Sequence, residues 1–196
     1  MPFPLDARPD KNALRRLARQ RRRSLTAAQR TLAQQRVADC LATHIQANAW
    51  QRIAAYFAVA SELDLAPLFA VLPDIQLALP AIDGAGVMGF RVWRPGEPLQ
   101  PGPFNIAQPA ASAPLQDPRG FDVVLLPLLG FDRRGVRLGS GAGYYDRCFA
   151  FRQAAATPRL VGVGFAVQQF DALPAEPWDV RLDAVVSEDG WLDCRG

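Results

Sequence analysis

The stretch FDVVLLPLLGFDRRGVRLGSGAGYYDR, residues 121–147, decides the fold that the sequence predicts. It begins with the apolar run FDVVLLP, whose length and branched side chains are typical of a strand buried on both faces. Such strands occur mainly in parallel sheets covered by helices. We therefore predict an α/β fold, a single domain over residues 1–196 with a mainly parallel central sheet flanked by helices. The rest of the stretch is then a strand-to-helix loop.

Glycines and arginines are concentrated in this loop. In open α/β sheets, such loops lie at the carboxyl ends of the strands, where ligands bind. Gly139, Gly141 and Gly143 would let the backbone approach a ligand closely, and Arg137 and Arg147 flank them. Backbone N–H groups and guanidinium groups together hold phosphate well. We predict an anion cradle; the alternative is a tight turn that needs glycine only for its backbone geometry.

Positive charge is concentrated at the start of the chain. Residues 1–30 contain nine Lys or Arg against two Asp, a net charge of +7, whereas the whole chain carries +3. On a predicted helix over residues 11–23, Lys11, Arg15 and Arg19 share one face. Stacked cations suit an anionic partner, although a solvated arginine-rich face explains the pattern equally well. Lys11 is the one lysine among 22 basic residues, either by chance or because a compact ammonium is needed there.

Hydrophobic periodicity and turn signals predict the other elements. Asp10 can cap the first helix, and a capping box at Thr26 starts a second helix that ends near Asn48. Glu62 follows a predicted strand and so lies at a strand's carboxyl end, like the loop. The remaining elements are short helices and strands, in order strand 52–59, helix 65–72, strands 75–79 and 87–93, helix 144–156, and strands 160–165 and 184–187. Residues 1–9 are expected to be a loose leader, and two connections are expected to be irregular, residues 94–119 and the segment with Asp171, Glu176, Asp179 and Asp183.

Composition and motifs exclude several classes of protein. No apolar run approaches the roughly 20 residues of a membrane helix, and no signal-peptide pattern begins the chain, so we expect a cytoplasmic protein. The three cysteines are far apart, which predicts neither a disulfide framework nor a zinc site. The only histidine, His44, lies on an apolar helix face. Chemistry based on histidine or cysteine is therefore not expected.

The end of the loop adds groups that suit nucleotide chemistry. Asp146 could hold a magnesium ion against bound phosphates, or could simply cap a helix. Tyr144 and Tyr145 could stack on a flat ring, although paired tyrosines at a helix start are more often packing residues. Together these features indicate nucleotide-dependent phosphoryl transfer, which relies on positioning and charge neutralisation rather than on a protein nucleophile.

The sequence resembles the 5-formyltetrahydrofolate cyclo-ligase family, also called 5,10-methenyltetrahydrofolate synthetases. The resemblance covers residues 11–187, and the pattern G-x-R-L-G-x-G-x-G-Y-Y-D-R is highly specific. Two variable positions of this pattern differ from what is usual in the family: Ser140 stands where many relatives carry a larger, often basic residue, and Ala142 where glycine is usual. The matching segments are KNALR (11–15), SELD (61–64), FNIAQP (104–109), RLGSGAGYYDR (137–147), FAVQQF (165–170) and LPAEPWDVRLD (173–183).

The resemblance implies a parallel-sheet α/β enzyme that uses ATP and Mg²⁺ to close the N5-formyl group of 5-formyltetrahydrofolate onto N10, releasing ADP and phosphate. It implies that Arg137, Tyr144 and Asp146 are catalytic and that Asp146 and Asp179 hold the magnesium ion. The implied ATP contacts are Lys11, Arg15, Arg137, Leu138, Gly139, Ser140, Gly141, Ala142, Gly143, Tyr144 and Tyr145. The implied folate contacts are Phe57, Glu62, Ser140, Gly141, Ala142, Gly143 and Tyr144.

Two other functions remain open at this point. The arginine-rich first helix could lie on a nucleic-acid backbone, although the rest of the chain is net acidic and carries no recognised binding motif. A sugar-phosphate isomerase or transferase of similar architecture would work without ATP. On the main interpretation we expect a monomer whose partners are the small molecules ATP and 5-formyltetrahydrofolate, and neither nucleic acid nor a membrane.

Overall fold

A computed structural model describes residues 10–72, 75–103 and 106–194. The predicted leader, residues 1–9, and the first two residues of the FNIAQP motif lie outside the described residues. The helices are α1 (Lys11–Arg23), α2 (Ala27–Ala47), α3 (Ala66–Val71) and α4 (Tyr144–Cys148). The strands are β1 (Arg52–Ala54), β2 (Gln76–Ile82), β3 (Met88–Trp93), β4 (Gln100–Pro101), β5 (Ala107–Gln108), β6 (Leu115–Gln116), β7 (Val123–Pro127), β8 (Gly130–Phe131), β9 (Arg137–Leu138), β10 (Arg159–Val163), β11 (Ala184–Ser187) and β12 (Gly190–Asp193).

Eight of these strands form the central sheet, in the order β12-β11-β10-β7-β1-β2-β3-β6. The strands from β11 to β2 run parallel, and the edge pairings β11–β12, β2–β3 and β3–β6 are antiparallel. The central strand that the sequence predicts is β7, between β10 and β1. The predicted α/β class with a mainly parallel sheet is confirmed.

Strand β7 shows why its sequence is apolar throughout. Val123 and Leu125 contribute to the core under α2 and α3, whereas Val124 and Leu126 contribute to the core on the opposite face. Successive side chains of a strand point to opposite faces, so a strand covered on both sides must be apolar at every position.

Helix α1 is attached to the body by a third, smaller core. Leu14 and Ala18 pack against residues of the hairpin formed by β8 and β9 and of the segment after β10: Leu129, Val136, Leu138, Phe170 and Leu173. Asp10 caps the helix as predicted, since its carboxylate accepts the N–H groups of Asn12 at 2.9 Å and Ala13 at 3.1 Å. The predicted capping box at Thr26 is also present. The first helix therefore lies against the loop that follows β9.

Two predicted elements are too long. The strand predicted over 52–59 leaves the sheet after Ala54, where β1 has its last pairing with β7, and the chain then turns at Ala60. An apolar run cannot distinguish a strand from a buried irregular segment. The helix predicted over 144–156 ends at Cys148 and continues as a 3₁₀ turn, Ala150–Gln153. There the buried Phe149 overrides the helix propensity of the alanines that follow.

Several strands or strand segments were not predicted, including the two-residue strands β4, β5 and β6. Strand β2 continues through Pro80 to Ile82, because β1 pairs with it only as far as Ala78 and the missing N–H of proline can face an unpaired edge. The loop before α4 contains the β8–β9 hairpin, and β12 adds an antiparallel edge after β11. Short two-residue strands carry too little pattern to be recognised.

Candidate active site

Residues 139–143 connect β9 to α4 in a largely exposed loop. Gly141 has φ 112° and Gly143 has φ 67°, both in the left-handed region that favours glycine. Helix α4 has only five residues, so its dipole is small and contributes less than the longer predicted helix would have. An anion at this loop must therefore be bound by the loop's N–H groups together with side chains from elsewhere.

Arg15 is one of the side chains that α1 brings to the loop. Its Nε donates to the carbonyl oxygen of Gly139 at 3.0 Å, and a Cβ on Gly141 would lie 3.4 Å from the guanidinium carbon. Its Nη1 donates to Asn12 Oδ1 at 2.7 Å. Arg15 is thus held beside the glycines, as the predicted shared face of α1 requires.

Lys11 reaches the segment before β11 rather than the loop itself. Its Nζ donates to Asp179 Oδ2 at 3.1 Å and lies 3.9 Å from Glu176 Oε1. The N–H of Glu176 donates to the same Asp179 oxygen at 2.9 Å. The ammonium group predicted to contact ATP and the carboxylate predicted to hold magnesium are therefore direct neighbours.

Arg137 and Asp146 form a second ion pair close by. Arg137 Nη2 donates to Asp146 Oδ1 at 2.5 Å, and only 7% of the arginine side chain is exposed. The N–H of Val180 donates to the same oxygen at 3.2 Å. Because Val180 follows Asp179 in the chain, the two predicted magnesium ligands lie on adjoining parts of the site. Each carboxylate has a cation beside it.

The donor set suits magnesium bound together with phosphate. Within the described ranges, no three His, Cys, Asp or Glu side chains are grouped as a metal cage. Magnesium usually keeps several waters and is held by one or two carboxylates and the phosphates of its substrate. Asp146 and Asp179 supply two such hard oxygen ligands, so the residues fit the ion in that mode.

Glu62 lies beyond the end of β1, on the side of the site that the resemblance assigns to folate. Burial raises the pKa of Glu62, while the N–H of Val59 and the positive charge of Arg22 oppose this rise. Burial, with a contribution from the charge of Glu62, also raises the pKa of Tyr145. The Tyr145 phenol is therefore neutral near pH 7.

The remaining predicted contacts divide into exposed and packed groups. Tyr144 lies under the guanidinium of Arg147, 5.2 Å from the ring centroid, while Arg147 Nη1 donates to the carbonyl oxygen of Ala142 at 2.9 Å. Phe57 packs edge-on against Trp93 at 5.1 Å. The side chain of Leu138 is buried under α1, so only its backbone can contact a ligand. Ser140 and Ala142 are exposed.

Three buried polar residues near the site were not predicted as functional from the sequence: Arg22, Asp132 and Gln168. Asp132 accepts the N–H groups of Val136 at 3.1 Å and Leu173 at 2.9 Å, and Gln168 Nε2 donates to the carbonyl of Leu128 at 2.8 Å. The turn sequence FDRRG hints at Asp132, because Asp often bonds its own turn. Nothing in the sequence distinguishes Arg22 from its arginine neighbours.

Comparison with known proteins identifies the family. The profile described as the 5-formyltetrahydrofolate cyclo-ligase family matches residues 7–188. The chain belongs to this family. A 5-formyltetrahydrofolate cyclo-ligase of Escherichia coli strain K12 is 32% identical over 179 residues, which cover 87% of this chain and 96% of that protein. The cyclo-ligase of Mus musculus is 35% identical over 94 residues, 46% of this chain and 43% of that protein.

Two solved structures of relatives have the same fold. The NMR structure of the 5,10-methenyltetrahydrofolate synthetase of Aquifex aeolicus has a TM-score of 0.81 at 30% identity and covers 95% of this chain and 93% of that one. The synthetase of Mycoplasma pneumoniae has a TM-score of 0.74 at 26% identity, covering 91% and 99%. The family and the type of enzyme that the sequence predicted are confirmed. The roles of individual cyclo-ligase residues stay predictions. Among the described residues, no helix is long and apolar enough to cross a membrane.

Proposed function

We propose that this cyclo-ligase converts 5-formyltetrahydrofolate to 5,10-methenyltetrahydrofolate with ATP and Mg²⁺, releasing ADP and phosphate. The observation that carries the proposal is that one helix brings Arg15 to the glycine loop and Lys11 to the carboxylates of Asp179 and Glu176. The hydrogen bonds of Lys11 and Arg15 span 168 and 124 positions of the chain. Such a cluster of cations, backbone N–H groups and hard oxygen ligands is suited to a magnesium–nucleotide substrate.

The two ion pairs explain how the site can accept this substrate. Lys11 is paired with Asp179, and Arg137 with Asp146. When the nucleotide binds, its phosphates attract the cations and its metal ion attracts the carboxylates, so each group exchanges one charged partner for another. Lys11 and Asp179 are 28% and 20% exposed, and pairs of that kind contribute about 1 kcal/mol or less. The exchange at Lys11 therefore has a small energetic cost.

Mg²⁺, when bound by Asp146 and Asp179, would neutralise charge that builds up on the transferred and leaving phosphate oxygens. Arg15 and Arg137 would add donors to the same phosphates, and the loop N–H groups would fix their position. Because Arg15 is already held by Gly139 and Asn12, little side-chain entropy would be lost on binding.

The folate would lie between the loop and Glu62. A carboxylate accepts N–H groups, and a pterin ring presents several along one edge. Phe57 offers an aromatic contact, and Tyr144 lies where the loop meets α4. These residues would direct the formyl oxygen toward the γ-phosphate and keep N10 near the formyl carbon.

The reaction then needs no protein nucleophile. The formyl oxygen attacks the γ-phosphorus, and the bond to ADP breaks. The N10 lone pair attacks the activated formyl carbon and N10 loses its proton. The carbon–oxygen bond to phosphate then breaks, leaving the methenyl bridge between N5 and N10. Positioning and charge neutralisation are the contributions of this chain.

The test is turnover by the purified protein. Protein, Mg-ATP and 5-formyltetrahydrofolate are mixed, and ADP release and the absorbance of the methenyl product are followed together. We expect equal amounts of both products, and neither without the folate. The proposal would be contradicted if adding the folate caused no ADP release and no methenyl product formed. Turnover of a sugar phosphate without ATP, or salt-sensitive binding of DNA or RNA with no ATP turnover, would support the alternatives instead.

A further inference from the structure

Arg22 is the most deeply buried basic residue in the described part of the chain, with 5% of its surface exposed. It lies in the last turn of α1, on the same helix as Lys11 and Arg15. Its Nε donates to Ser61 Oγ at 2.9 Å. It forms no ion pair with a carboxylate of the described residues, and its buried Nη1 has no hydrogen-bond partner among them. Burying an unpaired charge is unfavourable, so this position requires an explanation.

The turn that Arg22 contacts, residues 59–62, is strained. Ala60 has φ 54°, in the left-handed region, which costs a residue with a Cβ about 1 kcal/mol or more. Glu62 closes the turn, because Val59 N–H donates to Glu62 Oε2 at 3.0 Å and Glu62 N–H donates to the Val59 carbonyl at 3.1 Å. Strained backbone persists where the surroundings hold it, and it is frequent at functional sites.

Two arginines hold Ser61 in this turn from different helices. Arg22 binds its hydroxyl, and Arg30 Nη1 of α2 donates to its carbonyl oxygen at 3.0 Å. Arg30 also donates to the carbonyl oxygen of Arg22 and lies over the ring of Phe165 at 5.2 Å. The turn is therefore fixed to α1 and α2 at the residue that precedes Glu62.

Arg22 also acts on the charge of Glu62. Burial raises the pKa of Glu62, and Arg22 is the cation that opposes the rise, together with the Val59 N–H. Glu62 in turn contributes, after burial, to the raised pKa values of Tyr56 and Tyr145. The other titratable groups around it are Tyr56, Tyr145 and Asp64, which carry no positive charge, and Arg30 and Arg19, whose positive charges act on Arg22. Arg22, held against the residue before Glu62, is thus the cation whose charge lowers the pKa of Glu62.

We propose that Arg22 is a positioning residue of the folate site, which fixes the turn of residues 59–62 and supplies the positive charge beside which Glu62 binds the substrate as a carboxylate. An ionised Glu62 accepts N–H groups of the pterin, whereas a protonated one loses part of that capacity. The inference rests on the proposed function, because it assumes that Glu62 contacts 5-formyltetrahydrofolate. It adds that the arginine-rich helix serves both substrates, phosphate at its beginning and folate at its end.

The first experiment compares Arg22→Gln with Arg23→Gln, since Arg23 is exposed and bonds only the carbonyl of Arg19 within its own helix. We expect Arg22→Gln to raise KM for 5-formyltetrahydrofolate about tenfold or more, as expected for a lost charged contact, and KM for ATP less than about twofold. The pH below which the folate KM rises should move upward, because Glu62 then ionises less readily. Arg23→Gln should change neither KM nor this pH profile.

A second experiment separates the charge from the hydrogen bond. Arg22→Lys keeps the charge but loses the Nε bond to Ser61, so it should keep the original pH profile while lowering thermal stability. Adding Ala60→Gly to Arg22→Gln relieves the backbone strain, so it should restore part of the lost stability without restoring the pH profile. These variants also serve as the test if Arg22→Gln alone does not fold.

Several results would overturn the inference. In Arg22→Gln, these are an equal increase in the KM values for folate and ATP, an unchanged pH profile, or an unchanged KM for folate. The wild-type protein distinguishes this failure from failure of the proposed function. If the wild type forms methenyl product and Arg22→Gln behaves like it, only the role of Arg22 is wrong. If the wild type forms no product, the proposed function is wrong, and calorimetric binding of 5-formyltetrahydrofolate to Arg22→Gln and wild type still tests Arg22.

Discussion

Lys11 places a single ammonium group next to two carboxylates, 3.1 Å from Asp179 and 3.9 Å from Glu176. An ammonium donates in three freely rotatable directions, whereas a guanidinium needs a planar partner. It can therefore move from carboxylate to phosphate with little change in its own position. This gives a physical reason for a lysine here, in a chain whose other 21 basic residues are arginine.

Lys11→Gln should weaken the binding of ATP much more than the binding of folate. The substitution removes the charge and keeps a polar side chain that is one bond shorter, and a hydrogen bond to a charged group contributes about 1.5–3 kcal/mol. We expect KM for ATP to rise about tenfold to a hundredfold, with the folate KM changed less than about twofold. Steady-state kinetics with each substrate varied in turn measures both. The control is Arg16→Gln, an exposed cation of the same helix, which should change neither value. If the binding of both substrates became equally weak, the proposed contact of Lys11 with the ATP phosphates would be contradicted.

Asp146→Asn should raise the magnesium concentration needed for turnover. Asparagine can still accept the N–H of Val180, so the local fold is retained, but the hard anionic ligand is lost. Because Arg137 also loses its counter-ion, binding of ATP in the presence of a chelator should stay the same or become tighter. Magnesium titrations of turnover and calorimetry with ATP alone measure the two effects. Asp171→Asn, an exposed acid of the segment after β10, is the control. An unchanged magnesium requirement would leave Asp146 as a purely structural partner of Arg137.

At the scale of the elements, the sequence was sufficient wherever a pattern was long. Both capped helices, α1 and α2, and the fully apolar strand β7 follow from local chemistry, since caps and burial on two faces leave clear signals. The sequence was insufficient where contacts between distant residues determine where an element ends. Strand β1, which ends earlier than predicted, is an example. The candidate site shows the same division. Its glycine loop and cations were recognisable from the residues, whereas the contact of Lys11 with Asp179 depends on the complete fold.

Asp132→Asn should loosen the β8–β9 hairpin and with it the docking of α1. Asp132 is fully buried and accepts N–H groups from Arg134, Val136 and Leu173. Asparagine has one acceptor oxygen instead of two, so buried donors are left without partners, at about 1–3 kcal/mol each. We expect a loss of about 3 kcal/mol in the free energy of unfolding at pH 7, and a raised KM for ATP. Asp83→Asn is the control, since Asp83 makes similar turn contacts in an exposed position. It should lose less than about 1 kcal/mol.

The same variant has a defined pH dependence. Burial alone would raise the pKa of Asp132, but hydrogen bonds from Arg134 and from the backbone N–H groups hold it below its ordinary value. A carboxyl whose pKa is lowered by folding stabilises the protein above its unfolded pKa of about 3.9, and loses that effect as the pH falls through the folded value. The stability difference between wild type and Asp132→Asn should thus be constant near neutrality and shrink below about pH 4. Urea unfolding at several pH values measures it. A difference that grows toward acid pH would show that the carboxylate charge is not what holds the hairpin.

For the whole molecule, α1 is the element that joins the two halves of the candidate site. Among the described residues, its apolar attachment is the small core around Leu14 and Ala18, and many of its other contacts are polar. Arg21 donates to the carbonyl of Gln169 and Arg22 to Ser61, while Lys11 donates to Asp179 and Arg15 to the carbonyl of Gly139. An element held mainly by exchangeable polar contacts is expected to open more easily than the sheet. Binding of the nucleotide should therefore stabilise α1 first.

Mg-ATP should raise the unfolding temperature and slow amide hydrogen exchange in α1. A ligand at about 100 times its Kd stabilises the folded state by about 2.7 kcal/mol, which for a chain of this size corresponds to roughly 5–10 °C. The slowed amides should lie in α1 and in residues 139–146, because both would contact the same phosphates. Lys11→Gln at the same nucleotide concentration should lose most of the temperature shift and the slowing in α1. Differential scanning fluorimetry and hydrogen exchange with mass spectrometry measure these effects, with ADP and inorganic phosphate as comparison ligands. Slowing confined to the loop, with α1 unchanged, would show that Lys11 and Arg15 do not hold the phosphates.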